Sequence, residues 1–196
     1  MRYIISVIVA SFLLVSCSNE RLANPSQYVN PFIGASTSTG LAGTYHGMGK
    51  TFPGATTPYG MVQVSPQTIT GGDNSSGYSY EHKTIEGFAF TQMSGVGWYG
   101  DLGNFLTMPT TGKLQLIAGR EDGSIQGYRS LYDKSSEEAS AGYYCATLTD
   151  YNIKAEATAA SHSGILRFTY PANSQSRIQI DPVSYTHLTL PTSDLV

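Results

Sequence analysis

Beyond its first residues the chain carries short stretches in which apolar and polar positions alternate, and hardly any apolar repeat of helical period. A period of two places alternate side chains on opposite faces of a strand, whereas a helix needs apolar residues three and four apart. On this basis strands are predicted over 60–64, 87–91, 104–108, 113–117, 143–148, 153–158, 165–170 and 178–180. From Lys113 onward several are bounded by turn formers: Gly123, Gly142, the Asp150-Tyr151-Asn152 run and the Ser161-to-Gly164 run. Between Leu148 and Ile153 the pattern predicts a hairpin, with Asp150 and Asn152 supplying its turn. Along its second arm Ile153, Ala155 and Ala157 alternate with Lys154 and Glu156, which predicts one packed and one wet face. The polar stretch 119–141 is expected to hold a surface loop, with a strand around 124–128. Many short strands punctuated by Gly, Pro, Asn and Ser predict an all-β, antiparallel β-sandwich.

The N-terminus follows a different pattern. Arg2 precedes an apolar run from Tyr3 to Val15 that ends in Leu14-Val15-Ser16-Cys17. A cation, a short apolar stretch and a small residue before the cut describe a secretory signal. The run is shorter than the roughly 20 residues a spanning helix needs. The Leu-x-small-Cys sequence is similar to a bacterial lipobox, so Cys17 is the expected lipidation site; an ordinary signal peptide with a chance cysteine is the plainer reading. Residues 1–16 then form a lipoprotein signal peptide and 17–26 a polar tether. The expected location is the cell envelope, periplasm or outer-membrane surface, with a membrane contact through the acyl chains. With Cys17 lipidated, Cys145 remains as a small buried thiol in a strand, without an intrachain disulfide partner.

Composition narrows the partners. The chain holds 13% charged residues, 14 Tyr and 21 Gly, with a formal net charge of −3. No basic patch is visible in the sequence, so nucleic acid is not an expected partner. Abundant Tyr, Thr, Ser, Asn and Gly suit an extracytoplasmic protein that handles neutral polar ligands.

The candidate chemistry gathers in the glycine-rich stretch 87–104, which contains the single tryptophan, Trp98. An indole face covers the apolar face of a sugar ring and its N–H can donate to a hydroxyl. Asp101 can accept from sugar hydroxyls, or cap the turn before Leu102. His46, in another glycine segment, can line a cleft or sit solvated in a loop. Glu81 and His82 are adjacent in a run with Tyr78 and Tyr80, and neighbours on a strand face opposite ways; a structural role is expected for all four. Five carboxylates (Asp73, Glu81, Glu86, Asp101 and Asp150) occur without an EF-hand or other calcium loop.

Five blocks in fixed order carry a family resemblance: VNPFIG at Val29, TFPGATTPYGMVQVSP at Thr51, SGVGWYGDLGN at Ser94, MPTTG at Met108 and GYYCATLTDYNIKAEATA at Gly142. Over Gln27 to Asp181 the chain resembles glycoside hydrolase family 92, calcium-dependent exo-α-mannosidases. The resemblance implies an N-terminal β-sandwich over 27–182 and an inverting hydrolysis of terminal mannose from glycans. It implies general acid, general base and most calcium ligands on a helical domain outside this chain, so no catalytic residue and no metal ligand is assigned here. It implies that Trp98 lines the subsite next to the terminal mannose, as in α-1,2-selective members. Asp101 and His46 complete the substrate-binding candidates. Gln92 stands where many relatives carry His, and Met93 where Leu is common. Residues 183–196 show no continuation of the pattern and are expected to be a foreign or out-of-frame tail on an incomplete sandwich. Two readings follow: the N-terminal portion of an α-mannosidase, itself inactive, or a non-catalytic glycan-binding surface lipoprotein.

Overall fold

The computed structural model describes residues 24–36, 51–68, 76–94 and 103–182. Among them are ten strands and one 3-10 turn, Pro25–Tyr28, whose N-cap Asn24 accepts from the Ser26 backbone N–H. The strands are β1 (Ala55–Thr56), β2 (Gln63–Gln67), β3 (Thr84–Ile85), β4 (Gly87–Ala89), β5 (Leu106–Thr110), β6 (Ser130–Ser140), β7 (Tyr143–Leu148), β8 (Ile153–Ala159), β9 (Gly164–Thr169) and β10 (Arg177–Asp181). They form two five-stranded sheets, β1-β2-β4-β5-β10 and β3-β6-β7-β8-β9, in which neighbouring strands pair antiparallel. The predicted all-β sandwich is the observed one. No helix among the described residues is long and apolar enough to cross a membrane.

The core lies between the sheets. Val64 and Phe88 of the first sheet meet Tyr144, Leu148, Ile153 and Ala155 of the second, all buried. Phe88 sits at the centre, its ring 5.9 Å from Phe168 and 6.5 Å from Tyr144. Ring pairs at this spacing add to area burial. A smaller cluster of Ala35, Phe52 and Tyr78 is set apart from it.

β9 alternates strictly between half-buried and exposed positions, β7 and β8 only in part, and the β7–β8 hairpin turns through Asn152 at φ 52°. Asparagine tolerates that left-handed conformation better than most residues. The predicted wet face of β8 is only partly wet. Glu156 is buried because the Arg167 guanidinium covers it with two hydrogen bonds of 2.7 Å and the Tyr143 hydroxyl donates a third at 2.8 Å.

Two predictions fail. Stretch 119–141 does hold a loop, over 119–129, but its strand comes later than expected, as β6, the longest strand among the described residues. A bulge between Asp133 and Glu138 shifts the register and breaks the alternation that marks a strand. Asp133 stitches the bulge by accepting from the Ser135 N–H and hydroxyl, and the Ser136 hydroxyl donates to the Asp133 carbonyl. Stretches 113–117 and 124–128 form no strand; Tyr128 N–H to Ile117 O and Arg129 N–H to Ala118 O close an irregular loop instead. Leu114, Leu116 and Ile117 are exposed there, so the apolar run has no facing layer to pack on.

Candidate functional site

The predicted substrate residues Trp98, Asp101 and His46, the lipidation candidate Cys17 and the carboxylate Asp73 lie outside the described residues. The residues flanking the three internal stretches that carry Trp98, Asp101, His46 and Asp73 are described, and a chain of contacts joins them. Thr51 N–H donates to Gly34 O across 37–50, and Tyr80 N–H to Ala35 O at 3.0 Å. Thr68 N–H donates to Gly77 O at 2.8 Å across 69–75, while the Thr68 hydroxyl accepts from Ser79 N–H at 2.8 Å. Gln92, three residues before 95–102, donates from Nε2 to Gln67 Oε1 at 2.7 Å.

Two glycines make this convergence possible. A Cβ on Gly77, at φ +67°, would lie 2.6 Å from Gln92 Nε2. A Cβ on Gly103, which follows 95–102, would lie 1.6 Å from Gln67 Oε1. The side chains of Gln67 and Gln92 therefore fill space that only glycine leaves open. Gln67, Thr68, Ser76, Ser79 and Gln92 are all buried, an unusual density of polar side chains for a sheet end. Gln92 Oε1 is buried without a hydrogen-bond partner. Such an atom costs about 1–3 kcal/mol in lost hydration. The sequence drew attention to Gln92 only as a departure from a motif. It gave no sign of Gln67, which occupies an ordinary alternating position.

Beneath this end lies a buried ionic group that the sequence reading missed. Glu137, in the β6 bulge, is 2% exposed at its side chain. Its Oε1 accepts from the hydroxyls of Tyr78 and Tyr144, both at 2.8 Å, and its Oε2 from Lys134 Nζ at 2.9 Å. Lys134 Nζ also donates to Tyr78 Oη at 3.0 Å and stands 4.4–5.2 Å from the ring centres of Tyr80, Tyr132 and Tyr78. Burial, reinforced by the Glu137 charge, holds the Tyr78, Tyr132 and Tyr144 phenols far above their ordinary range. They remain hydrogen-bond donors at any physiological pH.

The described carboxylates do not make a calcium cage. Glu81 accepts from the hydroxyls of Ser36 and Ser79, Glu86 pairs with Arg129, and Asp150 accepts from Leu131 N–H at 2.9 Å. Among the described residues no three His, Cys, Asp or Glu side chains stand close enough to hold a metal. Calcium needs six to eight oxygens, several of them from one cluster. Glu81 and His82 lie in a turn rather than on a strand: Glu81 accepts from the two serines, and His82 Nδ1 lies 3.1 Å from Thr68 Oγ1, which also accepts from Ser79 N–H.

Comparison with known proteins agrees with this architecture. The glycosyl hydrolase family 92 N-terminal domain matches residues 28–192. A protein of Arthroderma benhamiae described as an uncharacterized secreted glycosidase is 31% identical over 153 residues, 76% of this chain and 19% of that protein. The family GH92 alpha-mannosidase BT3965 from Bacteroides thetaiotaomicron, solved in complex with mannoimidazole, superposes with a TM-score of 0.72 at 42% identity, covering 80% of this chain and 19% of that one. The GH92 family glycosyl hydrolase ccman5 gives a TM-score of 0.63 at 28% identity, covering 80% and 20%. The chain thus spans about a fifth of the length of these relatives.

Proposed function

The chain belongs to glycoside hydrolase family 92, and from that premise we propose that it forms the N-terminal sandwich of an inverting, α-1,2-selective α-mannosidase acting on terminal mannose of glycans. The observation that carries the reading is the match at 42% identity to an α-mannosidase over 80% of this chain. In this reading the three glycine-rich segments rise from the linked Gly34, Thr68, Gly77, Gln92 and Gly103 positions. Two of them carry the substrate candidates, 37–50 His46 and 95–102 Trp98 and Asp101: in this proposal the Trp98 indole takes the apolar face of the ring next to the terminal mannose, and the other two take hydroxyls.

Inversion needs an acid and a base carboxyl roughly 6.5–9.5 Å apart with a water between them. Glu81, Glu86, Glu137 and Glu156 are each engaged by protein donors, so they suit structure rather than proton transfer. Acid, base and the calcium that binds sugar hydroxyls belong, on this reading, to polypeptide in the part of the relatives this chain does not match. Residues 1–16 act as a signal, Cys17 carries the lipid, 17–26 tether, and 27–182 form the working domain in the cell envelope.

A chimera tests the proposal. Residues 27–182 replace the matching sandwich of the BT3965 mannosidase, and hydrolysis of α-1,2-mannobiose with calcium is followed by NMR of the first-formed anomer. The expected result is turnover with inversion, and a tenfold or greater loss of kcat/KM in Trp98→Ala. A folded chimera without turnover, or one indifferent to Trp98→Ala, overturns the reading. The chain from Cys17 onward should show no turnover alone; mannobiose binding without turnover by any chimera would favour the glycan-binding lipoprotein instead.

A further inference from the structure

We propose that His82 and Glu121 form an acid-tightened latch, which fastens the loop 119–129 to the end of β2 and closes it over the cavity beneath. Arg120, Glu121 and Ile125 of the loop face Thr84, Leu131 and Tyr151 of the sandwich across a space of about 460 Å³. Within the loop, Arg120 N–H donates to Ile125 O at 2.9 Å and Gly123 N–H to Arg120 O at 3.1 Å, so it forms a small hydrogen-bonded unit. His82 joins that unit to the first sheet. The inference does not depend on the mannosidase reading.

The ring is fixed on one side and poised on the other. Nδ1 lies 3.1 Å from Oγ1 of the buried Thr68, which also accepts from Ser79 N–H at 2.8 Å, and the Tyr132 hydroxyl donates to His82 O at 3.1 Å. Nε2 stands 3.7 Å from Glu121 Oε2. That is too long for a hydrogen bond from a neutral imidazole, yet close enough for an imidazolium to attract the carboxylate. Thr68 Oγ1 serves both ring states: its O–H donates to a neutral Nδ1, and its second lone pair accepts from a protonated one. The gain on proton uptake therefore falls on the Glu121 side.

The surrounding charges leave this pairing to Glu121. On the same turn Glu81 accepts from the Ser36 and Ser79 hydroxyls, and Lys83 is exposed to solvent. On the loop Asp122 is engaged by the Ser124 N–H and hydroxyl, with the Arg120 charge acting on it. On β6 Lys134 is held by Glu137 and Tyr78, and burial keeps the Tyr132 phenol neutral. Glu86 and Arg129 pair with each other, and Asp150 accepts from Leu131 N–H. A histidine that gains a partner when charged stabilises the closed loop at acid pH and loses that contribution as pH rises through its titration. The His82 and Glu121 side chains are 20% and 40% exposed, so the effect is modest and sensitive to salt.

Amide hydrogen exchange of the full chain in a zwitterionic detergent tests the latch, with intrinsic rates divided out at each pH. The Arg120 and Gly123 amides should be about two- to fivefold better protected near pH 5 than near pH 8, the range that a partly exposed ion pair supplies across a histidine titration. High salt should remove most of that difference. The Ala155 amide, in the β7–β8 hairpin, is the control and should not follow. Glu121→Gln should abolish the pH response, His82→Gln should hold the loop at its alkaline protection throughout, and Glu81→Gln should leave the response unchanged. If His82→Gln does not fold, Glu121→Gln, at an exposed position, decides. Equal protection at the two pH values, a response that survives Glu121→Gln, one removed by Glu81→Gln instead, or one shared equally by Ala155 overturns the proposal.

Discussion

The β6–β9 sheet and the end of the first sheet where Gln67 and Gln92 meet are built on opposite rules. Toward the core, the first buries Tyr144, Ala146, Leu148, Ile153, Ala155 and Ala157 and pairs them in unbroken register from β7 to β8. The second buries Gln67, Thr68, Ser76, Ser79 and Gln92, and leaves Gln92 Oε1 without a partner. Apolar burial in a regular ladder maximises stability, whereas buried polar groups fix geometry at some cost to it. The costly end is the one that borders the stretches carrying Trp98, Asp101 and His46, the residues of the proposed function.

Four measurements break or sharpen this contrast. The largest effect is expected where both regions share a residue. Phe88→Ala empties the space between Tyr144 and Phe168 and should cost about 4 kcal/mol, read as a large drop in Tm or loss of a cooperative melt. Next is Gly77→Ala, which puts an L side chain at φ +67° and a methyl against Gln92. About 2 kcal/mol of destabilisation is expected from the left-handed backbone alone. Gly112→Ala, also at positive φ but with open space around the new methyl, is the control that isolates the clash.

Gln92→Leu removes the unpartnered oxygen together with the donor to Gln67, two changes of opposite sign. Its melting curve should move by only about 1 kcal/mol, while turnover of the mannosidase chimera falls severalfold. Equal loss in a hairpin variant such as Thr147→Val would erase the distinction between the two ends.

The smallest effect concerns Glu156. Its carboxyl is held near 2 rather than 4.5, chiefly by the Arg167 hydrogen bonds and then by Tyr143. A depressed carboxylate contributes stability above its unfolded value and loses it as pH falls through the folded one. Acid melts should therefore decline between pH 4.5 and 2. Arg167→Met should flatten that decline while barely moving the melt at neutral pH, since the arginine is largely solvated.

Legibility followed the same divide. β7 was readable to the residue because Tyr143–Leu148 carries its apolar positions in phase with the pleat. β6 was not, because the bulge after Asp133 turns Glu137 inward among tyrosines and leaves a stretch that looks like polar loop. The run 113–117 looked like a strand because hydrophobicity alone does not supply a partner. At the candidate site, the order of motif blocks pointed to the family, while Trp98, Asp101 and His46 lie outside the described residues. The Gln67–Gln92 link and the Lys134–Glu137 pair depend on residues 25 and 3 positions apart meeting through a particular backbone path, which no local pattern encodes.

Cys145 offers a last consequence. Its thiol is 3% exposed, roofed by the β6 bulge, with Sγ 3.9 Å from Ser136 O. Reagent can reach it only when β6 peels away from β7, so its alkylation rate is a stopwatch for that opening. Followed with iodoacetamide at rising denaturant, one native sulfur would report whether the bulge lifts alone or only as the entire sandwich comes apart, without any label being introduced.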